Sequence, residues 1–521
     1  MAIERSSQYA LGDSPVFIRL IVVGLSLIVL SFVYSAVSGD RAHTGFPVIA
    51  LSERGLGPKD SWMKHGRATL LKGIKQCNGP FQILTGTGHQ IVLPNRFADE
   101  LRNHEDLNVS EVFKKDFFTT YPGFEAFRTA FDDGELIQET VRVKLTQSLG
   151  LIVADMVEET TASVHDYFGE DPDWHVLDVK KSLLDLVARL TSRIFLGKEL
   201  CRDKRWLKIA QDYTVDGFIA AFTLQMVPAV LRPLAHWVLP HCIRVRREYR
   251  DAKKLLLPEI QPRIDQAKKA LAAGQKPPRS LDSMSWLVEV SRGRPVDYVA
   301  AQLALTVPAI HTTLEATVQA LLDICTTPDV VPALRKEVID TISEHGWSKT
   351  ALQQMRLMDS LIKESQRLHP PNSISMNRYV KKQITLSDGT VLPAGSRIML
   401  VPAYDDPTVF EHPDVFDPYR FLREREKPGQ QHSWQHVSTS AHHTAFGLGK
   451  HACPGRFFAS NEIKIVMAHM LMKYDWRLDG DMPQNVEFQG AMMTPPHVMV
   501  QLRRRGEEID IDAVSAGKTT T

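Results

Sequence analysis

The chain has 521 residues, with 62 Lys and Arg against 61 Asp and Glu and a formal net charge of +1. That balance leaves no surplus of cations to neutralise phosphates, so it argues against a nucleic-acid binder and favours small-molecule chemistry. Five cysteines (Cys77, Cys201, Cys242, Cys325 and Cys453) are few, scattered and odd in number, without a CxxC pair; a reducing compartment is expected and a disulfide framework is not.

Near the start, Leu20 to Val37 is eighteen residues without a charge. At ~1.5 Å per residue it spans roughly 27 Å, about a bilayer core, with Arg19 reaching the interface. The run is long for a signal-peptide core and no clear cleavage site precedes Gly39. Residues 1–40 are therefore expected to form a tail and a single-pass membrane anchor, with the span at about 18–37. Arg5 and Arg19 precede it, and Arg41, Arg54 and Lys59 follow. The positive-inside rule weighs towards a catalytic part facing the cytosol, where the sequon Asn108-Val109-Ser110 escapes glycosylation.

From Trp62 onward helical periodicity dominates, with strand signals near 81–85, 89–93, 384–392 and 397–401. No repeat or linker divides residues 41–505, which predicts one mainly α domain with a small β-rich lobe. Val296 to Thr326 is apolar almost all round, as a buried helix is, and would run roughly 46 Å. Pro308 removes one of its backbone hydrogen bonds and predicts a kink. Ala309-Ile310-His311-Thr312-Thr313 follows, placing polar groups in an apolar helix where they need partners or water. The residues alone also allow a core histidine satisfied by a carbonyl and a threonine bonded to the carbonyl one turn back.

Glu364 and Arg367 stand one helical turn apart before Pro370-Pro371. A bidentate clamp is possible, but Glu125/Arg128, Glu139/Arg142, Glu199/Arg202 and Glu289/Arg292 share the spacing, so alone it means a solvated pair. Next comes Phe416-Asp-Pro-Tyr-Arg420-Phe421, then Phe446-Gly-Leu-Gly-Lys-His-Ala-Cys-Pro-Gly455. Its glycines allow backbone to pass close to a flat ligand, and the apolar helix that follows offers free N–H groups to an anionic sulfur. A buried structural cysteine is the plainer alternative. Residues 506–521 are polar without an apolar face and are expected to be a disordered tail.

The order Phe446, Gly449, Cys453, Gly455, preceded by Glu364/Arg367 and Arg420, resembles the signatures of the cytochrome P450 family over about residues 45–505. The resemblance implies a P450 fold and haem b with the Cys453 thiolate as axial iron ligand. It implies a buried charge network of Glu364, Arg367 and Arg420, and a proton relay at Thr312 and Thr313. Within that relay His311 stands where the family has an acid, and Ala309 where it has glycine. His451 stands where relatives often have a propionate-binding arginine, which leaves His451, Arg378 and Arg142 as alternative partners. The expected activity is monooxygenation of a lipophilic substrate, with electrons from a separate NADPH-cytochrome P450 reductase docking near Lys450 and Arg456, at the endoplasmic reticulum membrane. Substrate contacts are expected from 113–127, 218–239, 372–375 and 490–494. The motifs are most similar to fungal secondary-metabolism enzymes acting on terpenoids, indole-diterpenes and meroterpenoids, ent-kaurene oxidase-like ones among them. Two alternatives are an isomerase or dehydratase of the same fold that does not use O2, suggested by His311, and a non-catalytic haem-binding protein.

Overall fold

The computed structural model describes residues 41–51, 56–132, 135–275 and 280–514, with isolated positions between 16 and 33. Half of the expected span at 18–37 lies outside the described residues. Among those described, no helix is long and apolar enough to cross a membrane.

The fold is mainly helical and is organised around the helix Tyr298–Thr326. Asp297 caps it, its side chain accepting from the Ala300 N–H at 3.0 Å, which satisfies one of the donors that a helix start leaves free. The helix runs without interruption through Pro308, so the expected kink does not break it. Most of its apolar residues are buried, because helices Val179–Leu196, Lys204–Met226, Arg356–Leu368 and Arg456–Lys473 all contact it, while Pro308 is exposed and Val307 and Ala309 are only partly buried.

Small sheets flank the helices. Five strands lie in the order Phe81–Thr85, Gly88–Pro94, Arg397–Val401, Ser375–Val380 and Leu107–Asn108. Gly88–Pro94 and Arg397–Val401 run parallel, with Ile91 opposite Ile398, and the other pairs are antiparallel. Three more strands (His175–Asp178, Met499–Arg504, Tyr474–Leu478) and two hairpins, Ile384–Thr385 with Val391–Leu392 and Val486–Phe488 with Ala491–Met493, complete the β part.

Two expectations need correction. Residues 506–514 are not a free tail: Ile511 is fully buried, its carbonyl accepts from the Trp347 indole N–H at 2.8 Å, and Asp512 pairs with Lys473 at 2.5 Å. Positions 515–521 lie outside the described residues. The aromatic segment 113–127, expected to contact substrate, does not line the apolar cavity at Cys453: parts of it lie in the helices Ser110–Phe117 and Glu125–Asp132, whose rings stack on one another, Phe113 on Phe131 at 4.0 Å and Phe117 on Phe127 at 4.9 Å.

Candidate active site

Cys453 sits between a short turn, Gly449–His451, and the helix Arg456–Lys473. Its N–H donates to the Phe446 carbonyl at 2.7 Å, which closes the loop. Gly449 has φ +68, and a Cβ there would lie 2.6 Å from Asn103 Oδ1 and 2.8 Å from the Arg102 carbonyl oxygen. Only glycine meets both the left-handed backbone and the close approach. The Lys450 N–H donates to the same Asn103 oxygen at 2.8 Å, so the turn is held against the 98–103 segment.

Burial pushes the Cys453 thiol above its ordinary value, while the N–H groups of Gly455 and Arg456 and the Arg456 charge act the other way. Burial prevails over these backbone donors, and a coordinated metal cation would deprotonate the sulfur outright. Arg456 is fixed by donating to the Cys453 carbonyl at 2.8 Å and the Val437 carbonyl at 3.0 Å.

Cys453, Phe446 and Gly455 open onto a cavity of about 310 Å³, and from the central helix Ala309, Thr312 and Thr313 line the same cavity. The wall is largely apolar. Thr312 donates to the Pro308 carbonyl at 2.5 Å, the back-bonded arrangement the residues allowed, and remains exposed towards the cavity. Nearby, Glu462 is a fully buried carboxyl that accepts from Thr191 at 2.9 Å and whose other oxygen has no hydrogen-bond partner. Burial pushes Glu462 up to about 8.

His311 is not on the cavity wall. Its Nε2 meets the Gln211 carbonyl of the Lys204–Met226 helix at 3.0 Å, and burial lowers its pKa. A neutral ring donating to that carbonyl is satisfied where it stands, and it does not face Cys453. Sequence position put it in the relay; side-chain direction takes it out of the cavity.

Behind the site, Glu364 accepts from Arg367 through Nε and Nη2 at 2.8 Å each and from Arg420 Nε at 2.9 Å. All three side chains are buried. The guanidinium groups spend their remaining donors on the carbonyls of Tyr404, Pro413, Glu411, His412 and Val415. The network thus ties the Arg356–Leu368 helix to the loop 404–420.

What is left unpaired beside the cavity fits haem. Arg378 is buried, no carboxylate among the described residues pairs with it, and burial alone pushes its guanidinium down to about 10. His451 is pushed down to about 4 by burial and by the charges of Arg378, Lys450 and Arg142. A cationic cluster without an acid, next to a cavity that carries a thiol, fits a flat ligand with acidic side groups. Phe446 and Gly455 line the cavity, whereas His451, Arg378 and Gly449 stand off its wall. Of the segments expected to touch substrate, only 490–494 lines it, through Met492 and Thr494; Pro371 lines it just before 372–375. Sequence reasoning missed Glu315 and Glu462, because neither lies in a motif and both draw their meaning from partners far along the chain.

The cytochrome P450 family model matches residues 76–502. Cytochrome P450 monooxygenase bsc2 of Alternaria brassicicola is 40% identical over 520 residues, covering 98% of this chain and 99% of that protein. Cytochrome P450 monooxygenase trt6 of Aspergillus terreus is 38% identical, covering 89% of this chain and 95% of that protein, and ptmU of Penicillium ochrochloron is 37% identical, covering 87% and 90%. Similarity of this extent, spanning a cysteine turn, a buried Glu-Arg-Arg network and a threonine-lined cavity, shows that the chain belongs to the cytochrome P450 family, whose haem b is held by a cysteine thiolate.

Proposed function

We propose that the chain is a membrane-anchored monooxygenase in which Cys453 ligates haem iron and a lipophilic, terpenoid-type substrate is hydroxylated or oxidised further. That it is an oxidoreductase follows from the family and from relatives named as monooxygenases. One observation carries the finer reading: Cys453 and Thr312 share the wall of a single, largely apolar cavity. Apolar walls with few polar groups suit a bulky hydrocarbon skeleton.

Bound in this cavity, haem would supply the activation of dioxygen with electrons from a redox partner. Cys453 would hold the iron, and Arg378, His451 and Arg142 would face the acidic groups of the porphyrin. The Thr312 hydroxyl, donating to the Pro308 carbonyl, keeps its oxygen lone pairs available to a water on the cavity side. Thr313 lines the same wall, and the Glu462 carboxyl beside it is kept protonated near neutral pH by burial. Family members work with a separate reductase and small-molecule substrates; an NADPH-dependent reductase and an endoplasmic reticulum location with the catalytic part facing the cytosol agree with the apolar run at 18–37. The presence of Thr312 and Thr313 on the wall supports oxygen chemistry over the isomerase or dehydratase reading.

Co-expression with a reductase, feeding of di- and meroterpenoids and mass spectrometry test the proposal. The expected product carries one added oxygen atom and depends on NADPH and O2, and Cys453→Ser lacks both the thiolate ferrous–CO band and the product. Turnover without NADPH and O2 would refute it.

A further inference from the structure

Among the described residues, Glu315 is the one acidic side chain on the wall of the cavity, one helical turn beyond Thr312. A carboxylate beside an apolar chamber is costly unless paired, and here both oxygens are paired. Oε1 meets Lys180 Nζ at 2.5 Å, and Oε2 accepts from the Thr494 N–H at 2.9 Å and the Thr494 hydroxyl at 2.7 Å. Lys180 Nζ closes the ring by donating to the Thr494 carbonyl at 2.8 Å. The three residues come from the central helix, the first turn of the Val179–Leu196 helix and the late loop, so the ring joins three separate parts of the chain.

Two residues before Thr494 stands Met492, which lines the cavity. Its N–H donates to the Pro371 carbonyl at 3.3 Å and its sulfur accepts from Arg67 Nη1 at 3.3 Å. Just upstream, the Gly490 carbonyl accepts from the Ser373 N–H at 2.7 Å. The stretch that carries Met492 is thus tied on one side to the 371–373 loop and on the other to Glu315 and Lys180. A partly buried ion pair adds little net stability compared with well-packed apolar residues, and its best-attested use is to select one conformation.

We infer that Glu315, Lys180 and Thr494 form a clasp that fixes Met492 in the cavity wall and thereby determines which bulky ligands the cavity accepts. The inference rests on the reading of this cavity as the substrate site. Glu315 and Lys180 are positioning residues in this role, acting through Thr494 on Met492.

The test uses the full-length, haem-loaded chain and the double variant Glu315→Leu with Lys180→Met, in which two apolar side chains replace the pair. Amide hydrogen exchange over 490–494 is expected to be about tenfold faster, since Thr494 loses hydrogen bonds to a charged group. Clotrimazole, a bulky azole, is expected to bind about tenfold more weakly, because a loosened wall must be ordered on binding. Imidazole, which carries no bulky groups to press on the wall, is expected to bind within about twofold of the parent. Lys180→Arg should behave as the parent. Unchanged exchange, or faster exchange with unchanged clotrimazole affinity, overturns the inference. If the double variant does not fold, Thr494→Val removes the hydroxyl contact alone with little change of shape, and the same readouts decide. A parent chain that takes up no haem defeats the reading of the cavity, whereas the exchange experiment still judges the clasp.

Discussion

Replacing Glu364 with alanine removes the one carboxylate that, among the described residues, Arg367 and Arg420 share. Its two oxygens accept four hydrogen bonds, three from guanidinium nitrogens at 2.8–2.9 Å and one from the Asp417 N–H at 3.3 Å, and it has no solvent exposure. The two buried cations are then left without a counter-charge, facing carbonyl oxygens and at most a neutral water. Breaking a buried pair in this way costs about 3–5 kcal/mol, out of a total stability of about 5–15 kcal/mol. At about 2.1 cal/mol/K per residue, 521 residues give an unfolding entropy near 1.1 kcal/mol/K, so the expected fall in melting temperature is about 3–5 °C. The loss is also local. The network anchors the loop 404–420, and the Tyr404 hydroxyl accepts from the Thr444 N–H at 3.1 Å, two residues before the cysteine turn begins. Haem incorporation should therefore fall more than global stability does. Thermal unfolding followed by circular dichroism and the ferrous–CO band per mole of protein measure the two effects. Glu364→Gln, which keeps an accepting oxygen but not the charge, should fall in between. An alanine variant with the parent's melting temperature and a full ferrous–CO band would refute the reasoning.

Gly449→Ala forces a Cβ into contact with Asn103 and the Arg102 carbonyl in a left-handed backbone, and should cost about 1–3 kcal/mol with loss of haem binding, read by denaturant midpoint and optical spectrum. Truncation after Arg505 removes the buried Ile511 and leaves the Trp347 N–H without its acceptor; a loss of about 3–5 kcal/mol, read by the denaturant midpoint, is expected. Glu462 is a carboxyl whose folded pKa is raised by burial from 4.5 to about 8. Between those values the folded state holds the extra proton, so this group makes stability fall as pH rises. Glu462→Gln removes that slope, and its denaturant midpoint relative to the parent should increase from pH 4.5 to 8 and then level off.

How much of this was legible in the sequence depended on how far apart the interacting residues lie. The cysteine turn could be read because its requirements are local: a positive φ at Gly449, a hydrogen bond from Cys453 to Phe446, and a helix starting at Arg456. Glu364 and Arg367 share one helix turn, but Arg420 joins them from 56 residues beyond Glu364, and only the resemblance to a family linked them. The strands 375–380, 474–478 and 499–504 went unnoticed because each is short, carries charges, and pairs with segments distant in sequence. Ile509 and Ile511 alternate with acids in a short polar-looking segment, and only the distant Trp347, whose N–H meets the Ile511 carbonyl, shows that the segment packs on the core.

His311 shows where such a reading ends. Local rules allowed it two roles, a proton carrier at the cavity or a ring satisfied by a carbonyl, and both suit a histidine one residue before Thr312. The choice was made by the Lys204–Met226 helix, which brings the Gln211 carbonyl within 3.0 Å, 100 residues away in the chain. The same separation hides Glu315, whose partners Lys180 and Thr494 lie 135 residues before it and 179 after it. Sequence spacing fixes which face of a helix a residue occupies. It does not say what the neighbouring helix or loop presents to that face, and in this chain that decides which polar side chains meet the cavity and which are held away from it.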